Sequence, residues 1–377
     1  MKHIIIDARL YGPKHTGLGR YTKNLLLALK KLPDFKKYKF TLLVYPELLA
    51  EISHELKDSY QYVPTLLRHY SLAEQFFLPT LLSKLKPDLV HFTHLDKPIF
   101  YFGPSVVTVH DLIRHFSKGP DTTTKNPFFY WLKYWAYLLM TRIIFLSSHL
   151  IVPSNFWRDY IIKKYLSAGR QVNLDQKIIT TYEAVDPNFL QSSLRAKRGN
   201  PKISNYIIYT GNLYPHKNIE VVLKALKKLP HLKLKIICAR SVFTQKIEKQ
   251  ISVLKLQKQV EFLGYVPDNK FSSLYSQALA LVHPSFLEGF SLTGLEAMAL
   301  NCPVIAANAS CLPEIYEDSV LYFDPKDPSD LVKQIKLLQN SPDLRQKLIS
   351  LGHKQIAKYS WSKTATETLN FYQKIID

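Results

Sequence analysis

Two glutamates, Glu288 and Glu296, lie in the stretch HPSFLEGFSLTGLEAMALNCPVIAANASCLPEI that runs from His283 to Ile315. An ionised carboxylate only accepts hydrogen bonds, so two of them at one place suit a ligand rich in hydroxyl groups. Between them, Gly289 and Gly294 let a ligand approach the backbone closely. Phe290, Ser291 and Leu292 lead into a helix whose first N–H groups have no intrahelical acceptor and form a ready site for an anion. Hydroxyls together with a phosphate describe a nucleotide sugar.

These residues need a particular frame. An apolar run, Ala278 to Val282, reads as a strand; a loop and a short helix follow, and a second strand lies around Val304 to Ala306. In an open α/β sheet, ligands bind outside the carboxyl ends of the strands. Glu288 falls in the loop at that end. Side chains on a helix lean back toward its start, which aims Glu296 at the same crevice. Further strands read near Lys2 to Ala8, Lys39 to Tyr45, Leu89 to Phe92, Val106 to Val109, Leu150 to Val152, Lys177 to Tyr182, Tyr206 to Thr210, Leu234 to Cys238, Val260 to Phe262 and Val320 to Phe323. Helical patterns separate them. Strand alternating with helix implies parallel, doubly wound sheets.

At 377 residues the chain is too long for one ordinary core, and two domains are expected. The net charge of +20 is spread over both halves. It favours anionic partners (nucleic acid, an anionic membrane face, phosphorylated substrates), and it equally fits general solubility. Cys238, Cys302 and Cys311 show no CxxC spacing, which argues against a disulfide framework and structural zinc and fits a reducing cytosol. The start, MKHIIIDARL, lacks the apolar core of a signal peptide. The most apolar run, Phe128 to Phe145, carries Lys133 and Arg142 and is too short and too charged for a transmembrane span. It is expected to be a buried helix of the first domain; the alternative is an interfacial helix lying on a membrane.

Glu288, seven residues, then Glu296, followed by Ala297, Met298, Ala299 and Cys302-Pro303-Val304, resembles the signature of the retaining glycosyltransferases of family 4. Other segments resemble the family in the same order. Thr16-Gly17-Leu18-Gly19-Arg20-Tyr21 is similar to its glycine loop, placed between the first strand and a helix expected from about Arg20 to Leu32. His110-Asp111 stands at the end of a strand, and VPSNFWRDYI and Gly264-Tyr265-Val266 match further blocks. The resemblance implies two facing Rossmann-like domains, the GT-B arrangement, with the active site in the cleft between them. Its boundaries here are an acceptor-side domain over 1–188, a basic linker over 189–204, a nucleotide-sugar domain over 205–358 and a terminal helix over 359–377 returning to the first domain.

The implied reaction moves a sugar from a nucleotide diphosphate to a saccharide or lipid-linked acceptor. The preferred donor is GDP-mannose, with retention of configuration. The resemblance assigns His110 and Glu288 to the sugar, Glu296 to the ribose, and Gly17, Gly19, Gly211, Lys217, Gly289, Phe290, Ser291 and Leu292 to the rest of the donor. The family's usual Arg after Gly211 is Asn212 here, with His216, Arg240 or the helix start after Ser291 as compensating groups. Where relatives read Asn-Gly-Val-Asp, this chain has Glu183-Ala184-Val185-Asp186, and no role is carried onto Glu183. Asn218 reads as a helix cap. No Asp-x-Asp occurs, so no metal or other cofactor is expected, and Lys217 with backbone donors must stabilise the leaving diphosphate. The expected location is cytoplasmic, with peripheral contact at the inner face of an anionic membrane. Two other readings stay open: a sugar-nucleotide epimerase of related fold, and a non-catalytic binder of anions or nucleic acid, for which no recognised nucleic-acid module is present. A dehydrogenase would need GxGxxG after the first strand, which is absent.

Overall fold

A computed structural model describes residues 1–12, 15–119, 122, 123, 126–166, 173–187, 189, 203–238 and 241–376. The chain divides into two compact units. One comprises Met1–Leu112, Phe128–Glu183 and Ser360–Asp377; the other comprises Ile113–Pro127 and Ala184–Tyr359. Most of the linker expected over 189–204 lies outside the described residues.

The first unit contains β1 (Lys2–Asp7), α1 (Thr16–Leu29), β2 (Tyr38–Val44), α2 (Leu49–Leu56), β3 (Gln61–Pro64), α3 (Leu72–Leu85), β4 (Leu89–Phe92) and β5 (Ser105–Thr108). It continues with α4 (Pro127–Ser147), β6 (His149–Val152), α5 (Asn155–Ile161), α6 (Leu174–Lys177) and β7 (Ile178–Thr180). The strands form one parallel sheet in the order β3-β2-β1-β4-β5-β6-β7. Ile4, Ile5 and Ile6 are fully buried, as a central strand covered on both faces requires. The last helix, Trp361–Ile376, also belongs to this unit and lies on α1: Trp361 meets Tyr21 edge-on at 5.9 Å. Its Tyr372 hydroxyl bonds Nδ1 of the fully buried His91 at 2.5 Å.

Two expectations for this unit are corrected. Helix α1 starts at Thr16, not near Arg20, so Gly17 and Gly19 lie inside its first turns. Gly19 makes this possible. Its backbone carbonyl accepts from the Gly12 N–H at 3.1 Å, and a Cβ on Gly19 would stand 1.9 Å from the Gly12 carbonyl oxygen. The second correction concerns α4, which is not a buried helix. Only Thr141, Ile144 and Phe145 are buried, and Phe128, Phe129, Trp131 and Trp135 are exposed. Apolar composition marks a helix that avoids water but does not say what it packs against.

The second unit contains β8 (Tyr206–Thr210), α7 (Ile219–Leu226), β9 (Lys233–Ile237), α8 (Thr244–Val253), β10 (Val260–Phe262), α9 (Asp268–Gln277) and β11 (Ala280–His283). It ends with α10 (Leu292–Ala299), β12 (Val304–Ala307), α11 (Leu312–Tyr316), β13 (Leu321–Phe323), α12 (Pro328–Gln339) and α13 (Pro342–Ile356); the terminal helix of the first unit is α14. The sheet is parallel, in the order β10-β9-β8-β11-β12-β13. Its strand order reverses between β8 and β11, where the connections leave in opposite directions and open a crevice at the carboxyl ends. Cys302 and Cys311 are buried free thiols, and burial pushes the Cys302 thiol up to about 12. Among the described residues, no helix is long and apolar enough to cross a membrane.

Candidate functional site

In the second unit, the segments after β8 and β11 bring Lys217 and Glu288 together at that reversal point. Lys217 ends a short 3-10 turn, Pro215–Lys217, whose position is tied to the β11 loop by the Phe286 N–H donating to the His216 carbonyl at 2.8 Å. The Lys217 ammonium donates to both Glu288 carboxylate oxygens, at 2.7 and 2.8 Å. His283, the last residue of β11, stands with Nε2 2.9 Å from Glu288 Oε1. Burial alone would raise the Glu288 carboxyl, but Lys217 and His283 outweigh it and hold it well below the usual carboxylate range. A charged carboxylate and an ammonium are therefore fixed side by side, one able to accept from sugar hydroxyls and the other able to meet a phosphate.

Tyr316 orders the floor beneath this pair. Its hydroxyl donates to the Ser291 carbonyl at 2.9 Å and accepts from the Gly294 N–H at 3.1 Å. The Ser291 hydroxyl lies 2.7 Å from the same oxygen and 3.1 Å from His283 Nδ1. Gly294 has to lack a side chain here, since a Cβ would sit 2.2 Å from the Tyr316 hydroxyl. Ser291 holds φ +85°, a conformation that non-glycine residues adopt at an energetic cost and that turns the chain into α10. Leu292 opens that helix, with its N–H in the turn that has no intrahelical acceptors.

The other donor-side residues fall unevenly. Gly211 adopts φ +143° just past β8, a conformation that favours glycine. Glu296 is buried on α10 and lies close enough to Tyr275 for its charge to raise that phenol. The Tyr275 hydroxyl in turn meets Thr210, at the end of β8, at 2.6 Å. Glu296 is therefore linked to the strand end that carries Gly211. The Phe290 ring is buried edge-on against Tyr359 at 5.4 Å, which leaves its backbone, not its ring, to meet a donor. Asn218 occupies the position before α7 in a left-handed conformation (φ +53°), and its side chain does not cap the helix. Its amide instead donates to the carbonyls of Pro284 and Pro325, at 3.1 and 2.8 Å, and clamps the β11 loop. At Asn212, Oδ1 accepts from the Tyr214 N–H at 3.3 Å. Burial, then the Lys217 charge, push the His216 imidazole down to about 4, so it is neutral near pH 7 and adds no charge in place of the missing Arg. Arg240 lies outside the described residues.

In the first unit, His110 follows β5. Its Nε2 lies 2.9 Å from the Thr93 carbonyl and its Nδ1 3.2 Å from Glu183 Oε1. Tyr21 of α1 packs edge-on to the ring at 4.6 Å. Burial opposes the charged ring, but Glu183 outweighs it and raises the His110 pKa. Both nitrogens face oxygen acceptors, and the carboxylate among them favours the charged ring. Glu183, given no role from the sequence, is the group responsible. Gly17 is exposed and a Cβ there would meet nothing, whereas Gly19 is buried and committed to the backbone packing described above.

The sign of the His110 shift sets a pH dependence. A raised folded pKa means the pair's stabilisation is complete below the ordinary histidine value of about 6.5 and is lost as pH rises through the folded value. Glu183→Gln is expected to lower unfolding free energy by about 1.5–3 kcal/mol near pH 5.5, the range for hydrogen bonds to charged groups, and by clearly less near pH 9. Urea titrations at the two pH values check this; equal losses would remove the charge from the explanation.

The first unit also holds a buried polar cluster at the ends of β1 and β4. Arg9 donates to Asp7 and to Glu74, each at 2.6 Å, with all three side chains buried. Ligand atoms of Asp7, His69 and His94, and of His69, Glu74 and Asp96, lie within 4.8 Å of one another, a spacing that could hold a metal ion. The Arg9 guanidinium already supplies a cation to two of these carboxylates. Burial, then the Asp96 charge, raise the Glu74 carboxyl above the usual carboxylate range against the pull of Arg9.

Two doubly wound parallel units, with the Lys217–Glu288 pair at the reversal point of the second, have the architecture of a glycosyltransferase of the GT-B fold. The chain belongs to glycosyltransferase family 4 of the group 1 type: residues 15–174 match Glycosyltransferase Family 4, and residues 191–355 match Glycosyl transferases group 1. It is 28% identical to the O-antigen chain mannosyltransferase RfbU of Salmonella typhimurium, over 95% of this chain and 96% of that protein. Among solved structures, it is similar to the sucrose-phosphate synthase of Thermosynechococcus elongatus (TM-score 0.72, 16% identity, 99% of each chain). It is also similar to HepE of Anabaena in complex with UDP and glucose (TM-score 0.66, 17% identity, 99% of each chain).

Proposed function

We propose that this glycosyltransferase moves a mannosyl group from GDP-mannose, with retention of configuration and without a metal ion, onto a saccharide or lipid-linked saccharide. Its place of action would be the cytoplasmic face of an anionic membrane. The observation that carries the reading is the Lys217–Glu288 pair at the carboxyl ends of β8 and β11. The bond from the anomeric carbon to the diphosphate breaks as a bond to the acceptor oxygen forms, and charge accumulates on the departing phosphate. Lys217 is placed to meet that charge, together with backbone donors at the start of α10. Glu288 would accept from the sugar hydroxyls, Glu296 would take the ribose, and His110 is assigned to the sugar. A preorganised cation of this kind stabilises the leaving group without solvent reorganisation. The absence of any Asp-x-Asp supports metal independence, and the likeness to an O-antigen chain mannosyltransferase supports the choice of sugar.

A thermal-shift screen against GDP-mannose and UDP-sugars, followed by a transfer assay with and without EDTA, tests the proposal. GDP-mannose should raise apparent stability by about 2.7 kcal/mol at roughly a hundredfold excess over its Kd, with transfer unchanged by EDTA. Stabilisation by UDP-sugars alone would replace the donor. Activity that vanishes on chelation and returns with magnesium would overturn metal independence. Nucleotide release without acceptor glycosylation would favour the epimerase reading.

A further inference from the structure

Helix α4 carries an apolar stripe opposite its buried face. Phe128, Leu132, Trp135, Leu139 and Leu146 recur at intervals of three, four and seven residues and all face outward, with Trp135 63% and Leu139 61% exposed. Buried Thr141, Ile144 and Phe145 lie on the other side of the helix. The stripe has neighbours. The crossovers from β3 to β4, β4 to β5 and β5 to β6 all advance in one direction along the first sheet. Right-handed crossover therefore puts α3, the 93–104 segment and α4 on one face of it. Side-chain contacts join these elements: Phe76 of α3 stacks on Phe100 at 5.0 Å, and Lys97 donates to Ser147 and Ser148, at the end of α4, at 3.1 and 2.9 Å. On the same face Phe102 is 85% exposed, and Leu72, Phe76 and Phe77 are exposed as well.

A protein working alone in water rarely leaves so many large apolar side chains uncovered on neighbouring elements. Charge decides among its possible occupants. Pro127–Ser147 contains no Asp or Glu, and its charged residues, Lys133 and Arg142, are both exposed, in a chain of net charge +20. Trp and Tyr recur through the first half of the helix, and these are the side chains that settle at the boundary of headgroups and acyl chains. A second copy of the chain would bring Lys133 and Arg142 against their own kind, whereas anionic headgroups neutralise them.

We propose that this face of the first unit is a monotopic docking surface for an anionic phospholipid bilayer, with α4 lying in the interface plane and Phe102 and the start of α3 inserting beside it. The inference deepens the membrane location proposed above by naming the surface, and it does not depend on which sugar is transferred. Binding is measured without donor or acceptor, so its failure would leave the transferase reading intact, and a failure of donor binding would leave this one intact.

The test is flotation of the full chain with vesicles of phosphatidylcholine containing 0 or 40% phosphatidylglycerol. The chain should float with the anionic vesicles and remain at the bottom with neutral ones. The double variant Trp135→Glu/Leu139→Glu should bind at least tenfold more weakly while keeping the wild-type melting temperature and GDP-mannose thermal shift. Lys133→Glu should weaken binding more at low salt than at high salt. Failure of the wild-type chain to float with anionic vesicles, or undiminished flotation of the double variant, would overturn the proposal. A concentration-dependent dimer, abolished by the same double variant and unable to bind vesicles, would overturn it in favour of a second copy.

Discussion

Lys217→Ala is expected to lower turnover at least a hundredfold, the scale seen when one preorganised donor to a developing anion is removed. The geometry makes the result more specific than a loss of activity. Lys217 is the ammonium against both oxygens of buried Glu288, and its removal takes that cation away from a carboxylate that His283 also faces. Breaking a buried pair by deleting one partner costs about 3–5 kcal/mol, because the other charge stays behind uncompensated. Lys217→Ala should therefore lose stability as well as turnover. The double variant Lys217→Ala/Glu288→Gln removes both charges and should regain most of the stability but none of the transfer. Urea titration and initial rates on the same three proteins separate the two effects. Recovery of transfer in the double variant would show that Lys217 serves only to neutralise Glu288.

Gly19→Ala should destabilise the chain by about 3 kcal/mol, at the upper end for overpacking a tight site. The added methyl would lie 1.9 Å from the Gly12 carbonyl and 2.7 Å from that of Leu10, and both obstacles are backbone. Neither can swing aside as a side-chain tip would. The turn they belong to is anchored by buried Tyr11, whose hydroxyl donates to Glu55, and by Gly12 at φ +89°. Gly17→Ala is the internal control. Its Cβ would meet nothing within 4 Å, and alanine is the better helix former by about 1 kcal/mol, so stability should be unchanged or slightly raised. A fall in transfer with Gly17→Ala at unaltered stability would then locate the donor's approach to the exposed glycine. Equal destabilisation by the two variants would refute the packing account of Gly19.

Most strands and their parallel arrangement were readable from apolar runs alternating with helical patterns; β3, an edge strand with no fully buried residue, was not. Buried parallel strands are short, almost wholly apolar runs that end abruptly in polar residues, as Ile4–Ile6 do before Asp7 and Leu281 and Val282 do before the site loop. The place of the Glu288 and Glu296 stretch and the strand-end position of His110 were legible for the same reason: the types and spacings that bring polar groups to a strand's carboxyl end are local. Helix α4 was misread because a hydrophobic pattern reports avoidance of water and not the identity of the neighbour. Asn218 looked like a cap by residue type, but the chain reaches it in a left-handed conformation that turns its amide away to Pro284 and Pro325.

What local pattern determined, then, was two doubly wound units and the strand ends on which chemistry could stand. Only the tertiary structure decided which of those groups meet. Lys217 and Glu288 are 71 residues apart and touch because their loops leave β8 and β11 on either side of one reversal point. Tyr316 reaches back 22 residues to Gly294, and Glu183 lies 73 residues from the histidine whose pKa it raises. Such contacts depend on the closure of the sheet and the packing of its helices. No short-range preference of the residues involved encodes that closure.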